Sequence, residues 1–357
     1  MNEVKEQTGD AARSPEEAGP RAAARPRWQT ALRAAGAANA SWTFVVLLVL
    51  MAGFSAARPN AFLTVFNLRS MTSDAATLLV MGVGMTYVII TGGIDLSVGS
   101  VLIFSGVLAG KVMVHLGHGA DAGWPAITAG LLVGLVSGLL WGLVNGLLIA
   151  RARVPALIVT LGSYGMALGF AQIITGGTDV RSIPNRLNTT IGIGNVAGIP
   201  WTVVIAALVT LAGGAVLATT RFGRHTFAVG SNAEAARRAG IRVERHLIKV
   251  YALSGLLAGL AGDLSLARFQ TTTIAGHTTD NLSAIAAVVI GGTSLFGGVG
   301  TVFGTVVGVF IPTVLQDGFV IVGIQPFWQS VAVGAVLIAA VFTDQWRRQA
   351  RTRNGGG

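Results

Sequence analysis

Residues 91 to 100 read Thr91-Gly92-Gly93-Ile94-Asp95-Leu96-Ser97-Val98-Gly99-Ser100, with long apolar runs on both sides. A carboxylate left at the centre of a bilayer costs roughly 2.5 to 3.5 kcal/mol on insertion scales, so Asp95 has to sit at a helix end or against other protein groups. Gly92 and Gly93 stop one helix. The apolar run that resumes at Val98 starts the next, with Asp95 or Ser97 at its positive N-terminus, where an acceptor side chain is favoured. The stretch therefore predicts a structured junction between two membrane helices rather than a loose loop.

The remainder of the 357 residues agrees with a membrane setting. The chain is 52% hydrophobic and 11% charged, with a mean hydropathy of +0.67, whereas an ordinary soluble domain carries about 25% charged residues. Many runs reach the roughly 20 apolar residues that a helix needs to cross the hydrocarbon, and none shows the alternation of a membrane barrel. The fold class is an all-α polytopic membrane protein. Helices are predicted over 41–57, 71–91, 96–116, 124–150, 155–175, 200–218, 247–267, 281–291, 299–316 and 327–343, giving a bundle of about ten transmembrane helices. The eighth is short for a full span, so broken or short helices are expected near Gly92 and Gly291. Residues 1–40 lack an apolar core of their own and read as a disordered cytoplasmic tail; 41–345 form the transmembrane domain and 346–357 a second cytoplasmic tail.

The formal charge of +10 is explained by where the basic residues fall. With the N-terminus in the cytoplasm, 19 of the 25 lysines and arginines lie inside. They sit in the N-terminal tail, at Arg151 and Arg153, between Arg221 and Lys249, and at the C-terminal end. That asymmetry obeys the positive-inside rule and predicts an even number of spans with both termini cytoplasmic. The charge is topological, and no nucleic-acid partner is expected.

Gly130, Gly134, Gly138, Gly142 and Gly146 recur every four residues, and Gly255 with Gly259 and Gly300 with Gly304 and Gly308 repeat the spacing. Lipid supplies no hydrophobic drive between helices, so such stripes predict close backbone packing. A fainter echo aligns Gly92-Gly93-Ile94-Asp95-Leu96 with Gly291-Gly292-Thr293-Ser294-Leu295, and Gly99 with Gly298. Related halves of this kind are a frequent transporter device, and in a glycine-rich chain one short match is also within the reach of chance.

The one long polar segment inside the membrane domain spans 219–247. Within it Ser231 or Asn232 can cap a short helix, Glu234 suits the first turn, Arg237 and Arg238 the last, and Gly240 the stop. A charged face is often only solvated; a capped helix below the bilayer is also a docking element.

Several stretches together resemble the permease subunit of ribose-type sugar ABC importers. They are Gly92-Gly93-Ile94-Asp95-Leu96-Ser97-Val98-Gly99, Phe222-Gly223-Arg224, Ala228-Val229-Gly230-Ser231-Asn232, Glu234-Ala235-Ala236, Gly240-Ile241, and Ile285 through Gly298, in the family's order and spacing from about residue 41 to 348. The resemblance implies a bacterial cytoplasmic membrane protein that translocates a monosaccharide by alternating access. It also implies a cytoplasmic ATP-binding cassette ATPase subunit holding ATP and Mg, an extracytoplasmic sugar-binding protein, a second permease copy, and no cofactor bound by this chain. On it, Asn232, Glu234, Ala235, Ala236, Arg237, Arg238 and Gly240 fall on the coupling loop. Gly92, Gly93, Asp95, Ser97, Gly99, Gly291, Gly292, Gly297 and Gly298 fall on the signature junctions. Asp263 at an apolar family position, Asn281 for the usual glutamate, and Asp317-Gly318 for Asn-Gly depart from the pattern. Asp263 is either part of the path or a partner for Arg268, about one turn away.

Enzyme chemistry is absent by motif. Gly110-Lys111 is followed by Val112 and lacks the upstream glycine of a phosphate-binding loop. His115, His118, His225, His246 and His277 have no metal-ligand spacing, and there is no cysteine. An ion-coupled carrier using Asp95 or Asp263, or an amino-acid ABC importer permease, are the competing readings. Asn145, Tyr164 and Gln172, like Tyr87 and Phe170, serve equally well as substrate-path groups or as packing and interhelical glue.

Overall fold

A computed structural model describes residues 43 to 354 except His118 and Pro326; the tail expected over 1–40 lies outside the described residues. The chain runs α1 (Thr43–Ala57), α2 (Pro59–Phe62), α3 (Val65–Ile90), α4 (Val98–Gly117), α5 (Trp124–Ala150) and α6 (Ala156–Thr175). Next come a single turn α7 (Asn185–Leu187), a π-turn (Asn188–Gly192), and a two-residue hairpin β1 (Asn195–Val196) and β2 (Ile199–Pro200). The rest is α8 (Trp201–Thr219), α9 (Arg221–Ser231), α10 (Ala233–Arg238), α11 (Val243–Phe269), α12 (Asp280–Ile290), α13 (Val302–Val322) and α14 (Phe327–Asn354). The hairpin pairs Asn195 with Pro200 and Val196 with Ile199.

The all-α polytopic class holds, with seven helices long and apolar enough to cross a membrane: α3, α4, α5, α6, α8, α11 and α13. Three further apolar helical stretches are shorter: Thr43–Ala57, Asp280–Ile290, and Phe327–Ala339 at the start of α14. α14 itself continues through residues 346 to 354. Two starts differ from the sequence reading. Thr64 accepts from the Asn67 amide and caps α3 at Val65 rather than at 71, so the helix also includes Asn67, Arg69 and Ser70, whose polarity hides this turn from a hydropathy reading. α11 likewise begins at Val243 with a charged first turn containing Glu244.

Burial sorts the bundle into a centre and a periphery. α3 and α11 are 83% buried over their apolar windows, whereas α8 is 17% buried, so α3 and α11 form the axis on which other helices lean. The glycine stripes create the tightest of these contacts. A Cβ at Gly138 would meet the Gly259 backbone at 2.8 Å, one at Gly142 the Ala252 Cα at 2.9 Å, and one at Gly146 the Ile248 Cα at 2.8 Å. α5 and α11 thus touch backbone to backbone from Gly138 to Gly146, while Gly130 at the head of the row fits against Ala109 and Met113 of α4 and Gly134 against the Asp263 side chain; Gly304 and Gly308 bring α13 onto Gly291 and Ala287 backbone to backbone.

Candidate functional site

Asp95 sits where the chain turns inside the bundle, and it is 1% exposed. Its Oδ1 accepts from the Ser97 amide at 3.0 Å and the Ser97 hydroxyl at 2.6 Å, and its Oδ2 accepts from the Ser254 hydroxyl at 2.9 Å. Ser254 lies about 16 Å along α11 from Val243 at about 1.5 Å per residue. The carboxylate is therefore at membrane depth, and protein groups replace its water. The network continues outward: Asn145 of α5 donates to Ser97 Oγ at 2.9 Å and accepts from Ser163 of α6. Thr160 donates to the Ile94 carbonyl at 3.3 Å, and Asn281 donates to the Leu96 carbonyl at 3.0 Å. Irregular backbone inside a membrane needs such partners, and here α5, α6, α11 and α12 supply them.

The echo between the halves is visible in the backbone, one residue out of register from the sequence pairing. Thr91, Gly92 and Gly93 donate to Tyr87, Ile89 and Val88, while Gly291, Gly292 and Thr293 donate to Ala287, Val289 and Val288. Gly92 and Gly292 both take the left-handed conformation, φ 79° and 93°. The conformational match is Gly92 with Gly292, since that residue must lie at positive φ; matching the letters Gly-Gly instead shifts the alignment by one.

The two junctions also touch. Gly298 donates to the Ile90 carbonyl at 2.8 Å, and a Cβ at Gly297 would stand 2.8 Å from the Gly230 carbonyl and 3.0 Å from the Gly92 amide. Gly230 lies on α9 and itself fits against Ile90 and Gly298. One point thus joins the ends of α3 and α12 to the polar segment.

That segment is two helices. α9 begins under Thr220, which accepts from the Gly223 amide. It docks through Thr226, 3.0 Å from His246 Nε2, and through Phe222, whose ring lies 4.8 Å from His246 and 5.7 Å from Tyr87. α10 has Asn232 as its cap, accepting from Ala235 at 2.9 Å, and ends before Gly240 at φ 85°. Ala236 is 4% exposed and packs with Val229 and Val243. Glu234 pairs with Arg237 at 2.8 Å and Arg238 at 3.3 Å, and Arg237 also reaches Glu244 at 3.0 Å. Hydrogen bonds to Glu244 and then Glu234 hold the Arg237 guanidinium above its ordinary range.

At the opposite end of α11, Arg268 binds Asp74 of α3 at 2.7 Å and Ser70 at 3.2 Å. The pairing of Arg268 with Asp263 is not formed. Asp263 faces Gly134, where the missing side chain leaves room for the carboxylate, and both of its oxygens are buried without a hydrogen bond. Helical rotation explains this, since a five-residue step along α11 turns about 140° and points the two side chains at different neighbours. Tyr164 donates to the Thr278 carbonyl at 3.1 Å, Tyr87 to the Gly213 carbonyl at 2.6 Å, Phe170 leans on Trp141, and Gln172 is exposed. Among the described residues no His, Asp and Glu cluster has the makings of a metal site. Ser254, Ser163 and Asp74 join these networks without having stood out in the sequence, and Gly230 stood out only as part of a motif, with no contact assigned; Ser254 was masked by the small-residue row beginning at Gly255.

Residues 67–341 match the family described as the permease component of branched-chain amino acid transport systems. The chain is 38% identical over 305 residues to the ribose import permease protein of Escherichia coli, covering 85% of this chain and 92% of that one. It is 34% identical over 313 residues to the fructose import permease protein of Rhizobium meliloti, covering 85% of each. With the D-allose transport system permease protein of Escherichia coli it shares 33% over 303 residues, covering 85% and 90%. No solved structure matches the chain.

Proposed function

Because the chain belongs to this family of transport-system permeases, we propose that its α9–α10 unit receives the force of ATP hydrolysis on a separate subunit and passes it to the two glycine junctions, so that the bundle moves a monosaccharide inward. The chain is the membrane subunit of a multi-pass importer and not an ATPase. Relatives named for ribose, fructose and D-allose support a sugar as cargo over an amino acid, despite the family's description. A further relative named as an L-arabinose ABC transporter permease, 35% identical over 317 residues, supports ATP coupling over an ion-coupled carrier.

The observation that carries the proposal is the meeting of Gly230 with Ile90 and Gly298. A displacement of α9 is felt at once by the ends of α3 and α12, with no flexible linker between. Asn232, Glu234, Ala235, Ala236, Arg237, Arg238 and Gly240 shape the surface offered to the ATPase subunit, which would hold ATP and Mg. Gly93, Ser97, Gly99, Gly291 and Gly292 keep the junctions compact. Counting the three shorter apolar helices as passes gives ten, an even number that would put both termini on one side, and the basic asymmetry supports the cytoplasm as that side. A second permease copy and an extracytoplasmic sugar-binding protein complete the assembly, and Asn145, Tyr164 and Gln172 remain candidates for the path.

The test is reconstitution with the ATPase and binding-protein partners in liposomes. Gly230→Ala places a methyl against the Ile90 carbonyl, and it should leave the ATPase subunit bound while cutting uptake per ATP at least tenfold. Unchanged uptake per ATP from a folded variant would refute this transmission route.

A further inference from the structure

At the end of the bundle that carries α9 and α10, a cleft of about 380 Å³ opens between the end of α5 and the start of α11, lined by Ala150, Arg151, Arg153, Arg242, Glu244 and Arg245. We infer that this cleft binds the phosphate of an anionic phospholipid headgroup. Four arginines line it, and none of the four has a carboxylate oxygen within 4.0 Å among the described residues, although Arg153 is near enough to act on Glu244 through its charge. The one carboxylate in the lining, Glu244, is already held by Arg237 at 3.0 Å, so the cleft keeps an uncompensated positive charge. Guanidinium forks match phosphate oxygens in pairs, and four arginines against the single carboxylate of Glu244 leave such forks in excess. Arg153 holds a left-handed backbone, φ 58°, which side-chain-bearing residues rarely adopt and which concentrates at ligand-holding positions. α11 also begins at the cleft without a side-chain cap on Arg242, so its first amides add to the same field.

The surroundings select a lipid as the source of the phosphate. One turn before Arg151 on α5, Leu147 is 46% exposed, and one turn beyond Arg153 on α6, Leu157 and Ile158 are 52% and 62% exposed. A charged cleft directly bordered by an open apolar surface fits a headgroup with its acyl chains, and basic pockets between membrane helices at the cytoplasmic side are a known type of headgroup site. The inference rests on the membrane orientation given above, but its test does not depend on coupling to ATP.

The full chain is placed in nanodiscs of phosphatidylcholine with increasing phosphatidylglycerol, and native mass spectrometry counts the lipids retained. The wild type should retain phosphatidylglycerol at least tenfold more tightly than phosphatidylcholine. The pair Arg151→Gln and Arg245→Gln should erase that preference, while Arg181→Gln and Arg186→Gln, exposed beyond the opposite end of α6, should keep it. If the first pair does not fold, Arg242→Gln alone serves, with about a threefold loss expected. Equal retention of the two lipids, or equal losses from both pairs of substitutions, would overturn the inference. So would inorganic phosphate binding to the protein in pure phosphatidylcholine as tightly as phosphatidylglycerol does, because the source would then be a free anion.

Discussion

The amide of Gly298 donates to the carbonyl of Ile90 at 2.8 Å, although the two residues belong to different helix breaks. A carbonyl freed where α3 ends is thereby satisfied by the break that follows α12. Gly298 lies at φ 76°, and a Cβ there would meet Ser231 Oγ at 2.7 Å. Gly298→Ala should cost about 1 to 2 kcal/mol from the left-handed backbone alone. We expect a lower midpoint in thermal unfolding in detergent and a loss of uptake per ATP, whereas Gly162→Ala, which meets nothing within 4 Å, should change neither.

The Asp95 network separates geometry from charge. Asp95→Asn retains one acceptor oxygen, and Asp95→Leu retains none, leaving the hydroxyls of Ser97 and Ser254 without their acceptor. Each lost bond costs about 0.6 to 1.7 kcal/mol in membrane proteins, so the leucine variant should be the less stable by about 1 to 3 kcal/mol. Denaturation of the two variants in mild detergent checks the order; equal stability would mean that the junction is held by packing alone.

Glu234→Gln should behave in the opposite way. Its pairs with Arg237 and Arg238 are exposed, and solvent and salt screen such pairs so that they add little to stability. Thermal stability should stay nearly level while co-purification of the ATPase subunit, or uptake per ATP, falls severalfold. A variant that recruits the subunit and transports like the wild type removes Glu234 from the docking surface.

Along α5, Gly138→Val would drive a branched side chain into the Gly255 and Gly259 backbone of α11. Overpacking costs about 1 to 3 kcal/mol, occasionally more, and here the opposing atoms are main chain and cannot rotate away. Folded yield after membrane extraction should drop sharply. Gly165→Val on α6, where nothing lies within 4 Å, should be tolerated.

Much of this arrangement was legible in the residues. The stop at Gly92-Gly93, the cap at Asn232, the turn at Gly240 and the packing role of the Gly130 to Gly146 row all follow from local chemistry that acts over a few residues. What could not be read were pairings across the bundle. Nothing near Ser254 says that it faces Asp95, and nothing near Arg268 chooses Asp74 over Asp263, because helix rotation and tertiary register decide which faces meet. The start of α3 at Val65 rather than 71 has a related cause: Asn67, Arg69 and Ser70 break the apolar run, and the Thr64 cap and the Arg268 contact to Ser70 that support this turn lie outside a hydropathy pattern. The helical character of α9 escaped because its apolar positions bind protein instead of lipid.

α8 is the least enclosed of the spanning helices, and only Thr220 separates it from α9. Its polar fastening to the axis is the Tyr87 hydroxyl on the Gly213 carbonyl. A helix so open on its outer side can swing like an oar in a viscous medium wherever that side faces hydrocarbon chains. The speed of the transport cycle should then depend on the fluidity of the surrounding lipid, and cooling toward the gel phase should slow uptake more steeply than it slows nucleotide binding.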